Sequence, residues 1–297
     1  MIVVTGAGGH LGKAVVDGLL RRVSADQIAV SVRDPGKASQ FAKRGVRIRT
    51  GDFADAASLE RAFANADQVL IVSTDKLGDE ARQLHRTAIG AARDAGVRRI
   101  LYTSHMGARA GSPFLPADQH AATEADLAET GVAYTALRHG FYAESCLQMI
   151  GADLSAGELL TPEDGPVSWT ARADLAEADA AILADEEDWS GATQPLTAGE
   201  VLTMAELAAI ASEITGRYVR HTVVPDEEWR NARVAAGMPP FYANMLLGVF
   251  RAARRGDFAA TDQTLEKLLG RTPCTMRDVL PALLPDLTDL RYRKELT

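Results

Sequence analysis

The stretch MIVVTGAGGHLGKAVV (residues 1–16) decides the fold class. Ile2, Val3 and Val4 make a short apolar run, Gly6, Gly9 and Gly12 punctuate the next segment, and a helical pattern follows through Leu11, Ala14, Val15 and Leu19. A glycine turn between a strand and a helix suits a dinucleotide pyrophosphate. Gly6 permits the turn, Gly9 lets the backbone approach the phosphates, and Gly12 lets helix and strand pack closely. The helix start adds unpaired N–H groups and partial positive charge. His10 and Leu11, which open that helix, are expected at the pyrophosphate, His10 through its backbone rather than its ring.

Working outward, residues 28–32, 46–50, 68–73, 99–104 and 132–138 repeat the β-branched, apolar texture of residues 2–5, with amphipathic helical stretches between them. Strands alternating with helices imply parallel βαβ units, and near-continuous apolar strands imply helices on both faces. The expected fold class is therefore α/β, a Rossmann-type doubly wound parallel sheet. A dinucleotide-binding domain is expected over 1–150, with a contribution from about 168–200, and a smaller, mainly helical substrate-cleft region over 151–297. Within the latter, 157–183 reads as a strand pair and a helix. Residues 196–216 read as strand, turn and helix, with Thr203 as N-cap and Glu206 as its capping-box partner. Residues 225–255 and 275–290 read as helical.

Composition narrows the function. The chain has 297 residues, 46% hydrophobic and 24% charged, with a formal net charge of −8. No basic stripe is present, so no nucleic-acid partner is expected. Cys146 and Cys274 are far apart and form no CxxC motif, which argues against a disulfide framework. His85, His105 and His221 have no partner at metal-ligand spacing, so no metal is expected. There is no secretory leader pattern and no apolar run near about 18 residues. A soluble cytoplasmic protein is the expectation, with a homodimer left open.

The second strand ends in SVRDP, with Arg33 first and Asp34 next. An acidic residue there would bind the ribose hydroxyl of NAD, whereas an arginine accommodates the 2′-phosphate of NADP. With Asp34 alternating to the other side, NADP(H) is favoured over NAD(H); the bland alternative for Arg33 is a solvated strand end. Asp52 and Phe53 after the third strand, Ser73 after the fourth, and Thr103 and Ser104 at the end of the fifth fall where the cofactor crevice lies. Asp52 is read either as an adenine contact beside Phe53 or as a turn aspartate.

Short-chain reductases typically polarise a carbonyl with a Tyr-x-x-x-Lys pair on the helix after that fifth strand. Here the tyrosine position is Pro116 and the lysine position is His120, so that relay cannot operate. The segments TGAGGHLG (5–12), VRDPGKA (32–38), GDFADAASLERAF (51–63), ARDAGVRRILYTS (92–104), DQHAATEADLAETGVAYTALRHGFYAES (118–145), TARADLAEA (170–178) and LEKLLGRTPCTMRDVL (265–280) resemble the NmrA-like group of atypical short-chain dehydrogenases/reductases. Within it they are most similar to bacterial type-2 quinone reductases and triphenylmethane dye reductases.

The resemblance implies a bound NADP(H), a small C-terminal region closing a cleft, and hydride transfer to a small, planar, electron-poor acceptor such as a quinone. Such acceptors take hydride readily, so positioning supplies most of the barrier reduction. His120 then reads as a proton donor to the acceptor oxygen or as a helix-start histidine bonded to backbone. Glu124, one turn later, either orients it or binds substrate indirectly. The group commonly has Asn where this chain has His139, and the imidazole is a second candidate donor to a quinone oxygen. Phe141 and Tyr142 flank the expected nicotinamide and substrate pocket, with Tyr142 counted among the catalytic candidates; their alternative is core packing. Phe241, Tyr242 and Met245 read as an apolar wall or as core. Two other readings stand beside the reductase: an NADP(H)-binding redox sensor of the same group, and a benzylic-ether or isoflavone-type reductase, disfavoured by the missing lysine.

Overall fold

The computed structural model describes residues 1–150, 157–185 and 189–283, the side chain of Gln148 excepted. The expected boundary at 150/151 and the end of the last helical stretch therefore touch residues outside the described ones. The strands are β1 (Ile2–Thr5), β2 (Ile28–Val32), β3 (Arg47–Thr50), β4 (Gln68–Ile71), β5 (Arg99–His105), β6 (Ala133–His139), β7 (Phe141–Tyr142), β8 (Glu158–Thr161), β9 (Trp169–Thr170), β10 (Gly191–Ala192) and β11 (Arg220–Val223). The α-helices are α1 (His10–Leu19), α2 (Ser39–Ala42), α3 (Ala56–Phe63), α4 (Gly78–Asp94), α5 (Leu115–Ala128), α6 (Cys146–Ile150), α7 (Arg172–Ala184), α8 (Met204–Thr215), α9 (Asp226–Ala235), α10 (Pro240–Arg254), α11 (Thr264–Leu269) and α12 (Met276–Leu283).

Among the described residues, seven strands form one parallel sheet in the order β10-β6-β5-β4-β1-β2-β3. The order reverses between β1 and β4, which opens a crevice at their C-terminal ends. Strand alternation divides the core cleanly. Val4, Val30, Leu70, Leu101 and Leu137 pack under α1 and α7, while Val3, Ala29, Val69, Ile71 and Tyr102 pack under α3 and α4. Both faces are dry, and each fully buried aliphatic contributes about 2 kcal/mol by leaving water. The six strands expected in the first 140 residues all form, within two residues of the expected ends.

A third cluster lies among α6, α8, α9, α10 and α12, where Trp169, Trp229 and Phe250 are fully buried. Both tryptophans are thus core. Thr203 caps α8, and the reciprocal capping box with Glu206 is complete. The helical stretch 225–255 is two helices, parted at Pro239 and Pro240. The strand pair expected in 157–171 does not form. Instead β8 pairs with β11 and β9 with β7, both in parallel. The segment between β8 and β9 is held elsewhere: Asp164 accepts from the Met204 N–H at 2.6 Å and Val167 bridges Leu202. The strand expected near 196–202 is reduced to two single bridges, His139 to Leu196 and Val167 to Leu202.

Candidate active site

The glycine turn sits where the sheet order reverses. Gly6 has φ of +62°, a conformation side chains disfavour. A Cβ at Gly12 would lie 2.5 Å from the Gly6 carbonyl oxygen, so the contact of helix and turn itself requires glycine there. Gly9 is different. Its φ of −94° suits any residue, and a Cβ would meet only that same oxygen at 3.4 Å. A Cβ at Gly8 would meet only Lys37, at 3.8 Å. The chain does not need these two glycines for its own packing; their bareness keeps an exposed concavity clear at the start of α1. The first turn of α1 carries no acidic residue, and its cap residue supplies no side-chain acceptor. An exposed, bare helix start of this kind offers free N–H groups to an anion. His10 is exposed beside it, and Leu11 is buried under the helix.

At the end of β2, Arg33 is exposed and engages no carboxylate among the described residues. The Asp34 carboxylate instead accepts the Gly36 N–H at 2.9 Å and caps the next turn. Lys37, exposed on that turn opposite Gly8, adds a second cation that the sequence reading missed. Its signal was its place in VRDPGKA. Asp52 accepts the Ala54 N–H at 3.0 Å, as a turn aspartate does, and Phe53 packs partly against the core below α3.

Across the crevice, a cavity of about 180 Å³ opens beyond β4, β5 and β6. Ser73, Ser104, His105, His120, Phe141 and Tyr142 line it on the sheet side, and Met149, Met245, Leu246 and Val249 close it from α6 and α10. The surroundings of Thr103, Glu124 and His139 narrow what each can do. Thr103 is buried behind the cavity, where it accepts the Ser73 N–H at 2.8 Å and donates to the Ser73 hydroxyl at 3.1 Å, so it fixes Ser73 and contacts nothing in the cavity. Glu124 does not line the cavity and makes no hydrogen bond to His120. Its carboxylate is taken by Arg138, at 3.0 and 2.7 Å, and by the Ser104 hydroxyl at 2.6 Å. His139 also lines the cavity, with its Nε2 engaged by Asp179 at 2.8 Å and its Nδ1 by the Tyr142 hydroxyl at 3.3 Å.

Phe141 and Tyr142 satisfy both readings at once. Phe141 belongs to the core cluster with Phe114, Phe258 and Trp169, yet shows an edge to the cavity. The Arg172 guanidinium lies 5.1 Å over the Tyr142 ring, and burial pushes the Tyr142 phenol well above its ordinary range. Phe241 and Tyr242 stand half-exposed on the first turn of α10, one turn before Met245.

His120 reaches the cavity from α5, and its Nδ1 lies 2.7 Å from the Tyr102 hydroxyl, not against backbone. His105 lies alongside, with near-parallel rings 6.1 Å apart. Burial, reinforced by His105, His85 and His139, holds His120 well below the usual histidine range. Burial and then His139 bring His105 down to about 3. Both rings are neutral at physiological pH. A neutral His120 ring can offer a hydrogen bond to the cavity without carrying a positive charge into it. No group of three or more His, Cys, Asp or Glu arranged to hold a metal ion occurs among the described residues.

A glycine cradle at a switch point beside a small, aromatic-walled cavity defines a dinucleotide-dependent α/β protein. The chain belongs to the NmrA-like family, whose profile matches residues 1–272. It is 35% identical to quinone oxidoreductase 2 of Escherichia coli (strain K12) over 279 residues, covering 94% of this chain and 96% of that protein. The crystal structure of the Escherichia coli NADPH-dependent quinone oxidoreductase in complex with NADPH superposes with a TM-score of 0.90 at 33% identity, covering 96% of this chain and all of that one. The Citrobacter sp. triphenylmethane reductase complexed with NADP(H) gives 0.86 at 35% identity, over 95% of this chain and all of that one.

Proposed function

We propose that the protein is an NADPH-dependent reductase that delivers hydride to a small, planar, electron-poor acceptor, a quinone or a chemically similar molecule. The observation that carries the reading is the pairing of the bare glycine cradle with the aromatic cavity at the ends of β4, β5 and β6. The activities for which these relatives are named point the same way.

The turn from Gly6 to Gly12 and the N–H groups of α1 hold the pyrophosphate, while Arg33 and Lys37 receive the 2′-phosphate. NADPH, when bound, supplies the hydride. Ser73, fixed by Thr103, and Ser104, fixed by Glu124, set the sheet-side floor. Phe141, Tyr142 and the methionines hold a flat ring by apolar contact, and the His120 imidazole donates a hydrogen bond to the oxygen on which charge develops. Such a donor in a dry site stabilises the developing oxyanion far more than it would in water. The remaining proton comes from solvent, since neutral imidazole does not give one up. No helix of the described residues is long and apolar enough to cross a membrane.

The test is NADPH consumption by the purified protein with benzoquinones, naphthoquinones and a triphenylmethane dye, with NADH in parallel. Turnover with NADPH preferred supports the reductase. Tight NADPH binding with no acceptor consumed would instead favour a cofactor-sensing role.

A further inference from the structure

We propose that His85 and Tyr102 are positioning residues which lock His120 in the tautomer that presents Nε2–H to the cavity. The inference rests on the reading of that cavity as the acceptor site.

The argument begins at a backbone amide. The Thr74 N–H, just past β4, donates to His85 Nε2 at 3.0 Å. An amide N–H plays only that part, so Nε2 is an acceptor and the ring proton of neutral His85 sits on Nδ1. Nδ1–H donates to the Thr123 hydroxyl at 3.1 Å, whose own proton is spent on the Gln119 carbonyl at 3.0 Å. The Tyr102 hydroxyl stands 3.4 Å from the same protonated Nδ1 and cannot donate to it. Of its remaining neighbours, the Thr123 hydroxyl already accepts from His85, whereas His120 Nδ1 is the stronger acceptor and lies 2.7 Å away, so the Tyr102 proton goes to His120. With Nδ1 accepting, neutral His120 carries its proton on Nε2. No further hydrogen bond from the His120 side chain occurs among the described residues, and the ring lines the cavity. His105 beside it is fixed likewise, its Nδ1 accepting the Gly107 N–H at 3.0 Å.

Neutrality, which the tautomer argument requires, follows from burial. His85 is brought down to about 4, and only the Asp126 charge opposes that shift. His85, Thr123 and Tyr102 are all sealed from solvent, so the chain of donors is not open to exchange of roles with water.

The consequence is selectivity by chemistry. A cavity with a fixed donor favours acceptors whose reduction places negative charge on oxygen, such as quinones. It gives no advantage to a carbocationic dye, which takes hydride at carbon and is simply neutralised.

Two measurements test this. The first is a two-bond proton–nitrogen correlation spectrum of the nitrogen-15-labelled wild-type protein, without cofactor or acceptor. A His120 pattern with Nε2 protonated is expected; a pattern with Nδ1 protonated overturns the proposal. The second is Tyr102→Phe. Its kcat with a quinone is expected to fall by about tenfold or more, part of the loss seen when an oxyanion donor is removed. Its kcat with the dye should stay near wild type, and its His120 spectrum should show mixed tautomers. Equal losses on quinone and dye, or an unchanged His120 tautomer, would overturn the positioning role. If no acceptor is reduced by wild type, the reductase reading fails while the spectrum still decides the tautomer.

Discussion

His139 Nε2 meets Asp179 Oδ1 at 2.8 Å, with the two side chains only 1% and 0% exposed. The other carboxyl oxygen of Asp179 is buried without a hydrogen-bond partner among the described residues. On the far side of the ring, His139 Nδ1 meets the Tyr142 hydroxyl at the cavity wall. Asp179, on α7, thus sets the ring that sets Tyr142.

Removing one member of such a pair leaves the other buried and alone. Asp179→Ala leaves His139 Nε2–H buried without its acceptor and is expected to cost about 1–3 kcal/mol of folding stability. Asp179→Asn, which keeps a hydrogen-bonding oxygen in place, should cost less. Urea denaturation of both variants checks the order, and equal stability of Asp179→Ala and wild type would refute it.

Among the described residues neither Arg33 nor Lys37 meets a carboxylate, and Lys37 lies opposite Gly8, while Asp34 is occupied with its own turn. Arg33→Ala is expected to raise the Kd for NADPH by roughly tenfold to a hundredfold, the equivalent of the about 1.5–3 kcal/mol carried by a hydrogen bond to a charged group. Lys37→Ala should act in the same direction. The Kd for NADH, which has no 2′-phosphate, should barely move. Calorimetric titration with both cofactors separates the cases.

The glycines of the turn separate by what crowds them. Gly12→Ala places a methyl against the Gly6 carbonyl and is expected to destabilise the fold by about 1–3 kcal/mol. Gly9→Ala has room within the protein and should leave stability within about 0.5 kcal/mol of wild type. It should nevertheless weaken NADPH binding, because the methyl enters the space left for phosphate. Thermal melts with and without NADPH give both numbers.

Three histidines near the cavity, His85, His105 and His120, are held neutral by burial and titrate below their unfolded value. In the window from about pH 6.5 down to about 4 the unfolded chain binds protons that the folded one refuses, so stability falls as pH falls. Each histidine contributes at most about 1.4 kcal/mol per pH unit there. Above about pH 7 these groups add no slope. Denaturation midpoints at four pH values from 7.5 to 4.5, on the order of one unit apart, should trace this, and a flat profile across the window would count against it.

What was legible in the sequence was local. Residues 2–12 announce strand, turn and helix by themselves, and Thr203 with Glu206 spells out a cap within one turn. The six strands were found because each is a short run with both faces buried. The partners of β8 and β9 were misread because parallel pairing is set by distant segments, β11 and β7. The site was half visible for the same reason. His120, Ser73 and Phe141 fall in recognisable strand-end and helix segments, but no local pattern shows that Thr74, Thr123 and Tyr102 converge on the ring of His85, or that Asp179 waits opposite His139. Glu124 was placed in the right neighbourhood and given the wrong partner, since Arg138 claims it only once β6 lies beside α5.

Arg138 and His139 are consecutive on β6 and leave it on opposite faces, one to Glu124 on α5 and the other to Asp179 on α7. Adjacent letters thereby address different sides of the molecule. A single-residue insertion or deletion in the turn before β6 would be a frameshift in space if the strand took it up: the guanidinium would be delivered to the dry socket of Asp179, and the imidazole to a carboxylate built for a forked cation. The length of the chain between α5 and β6 is thus part of the site's grammar, although none of its residues touches the cavity.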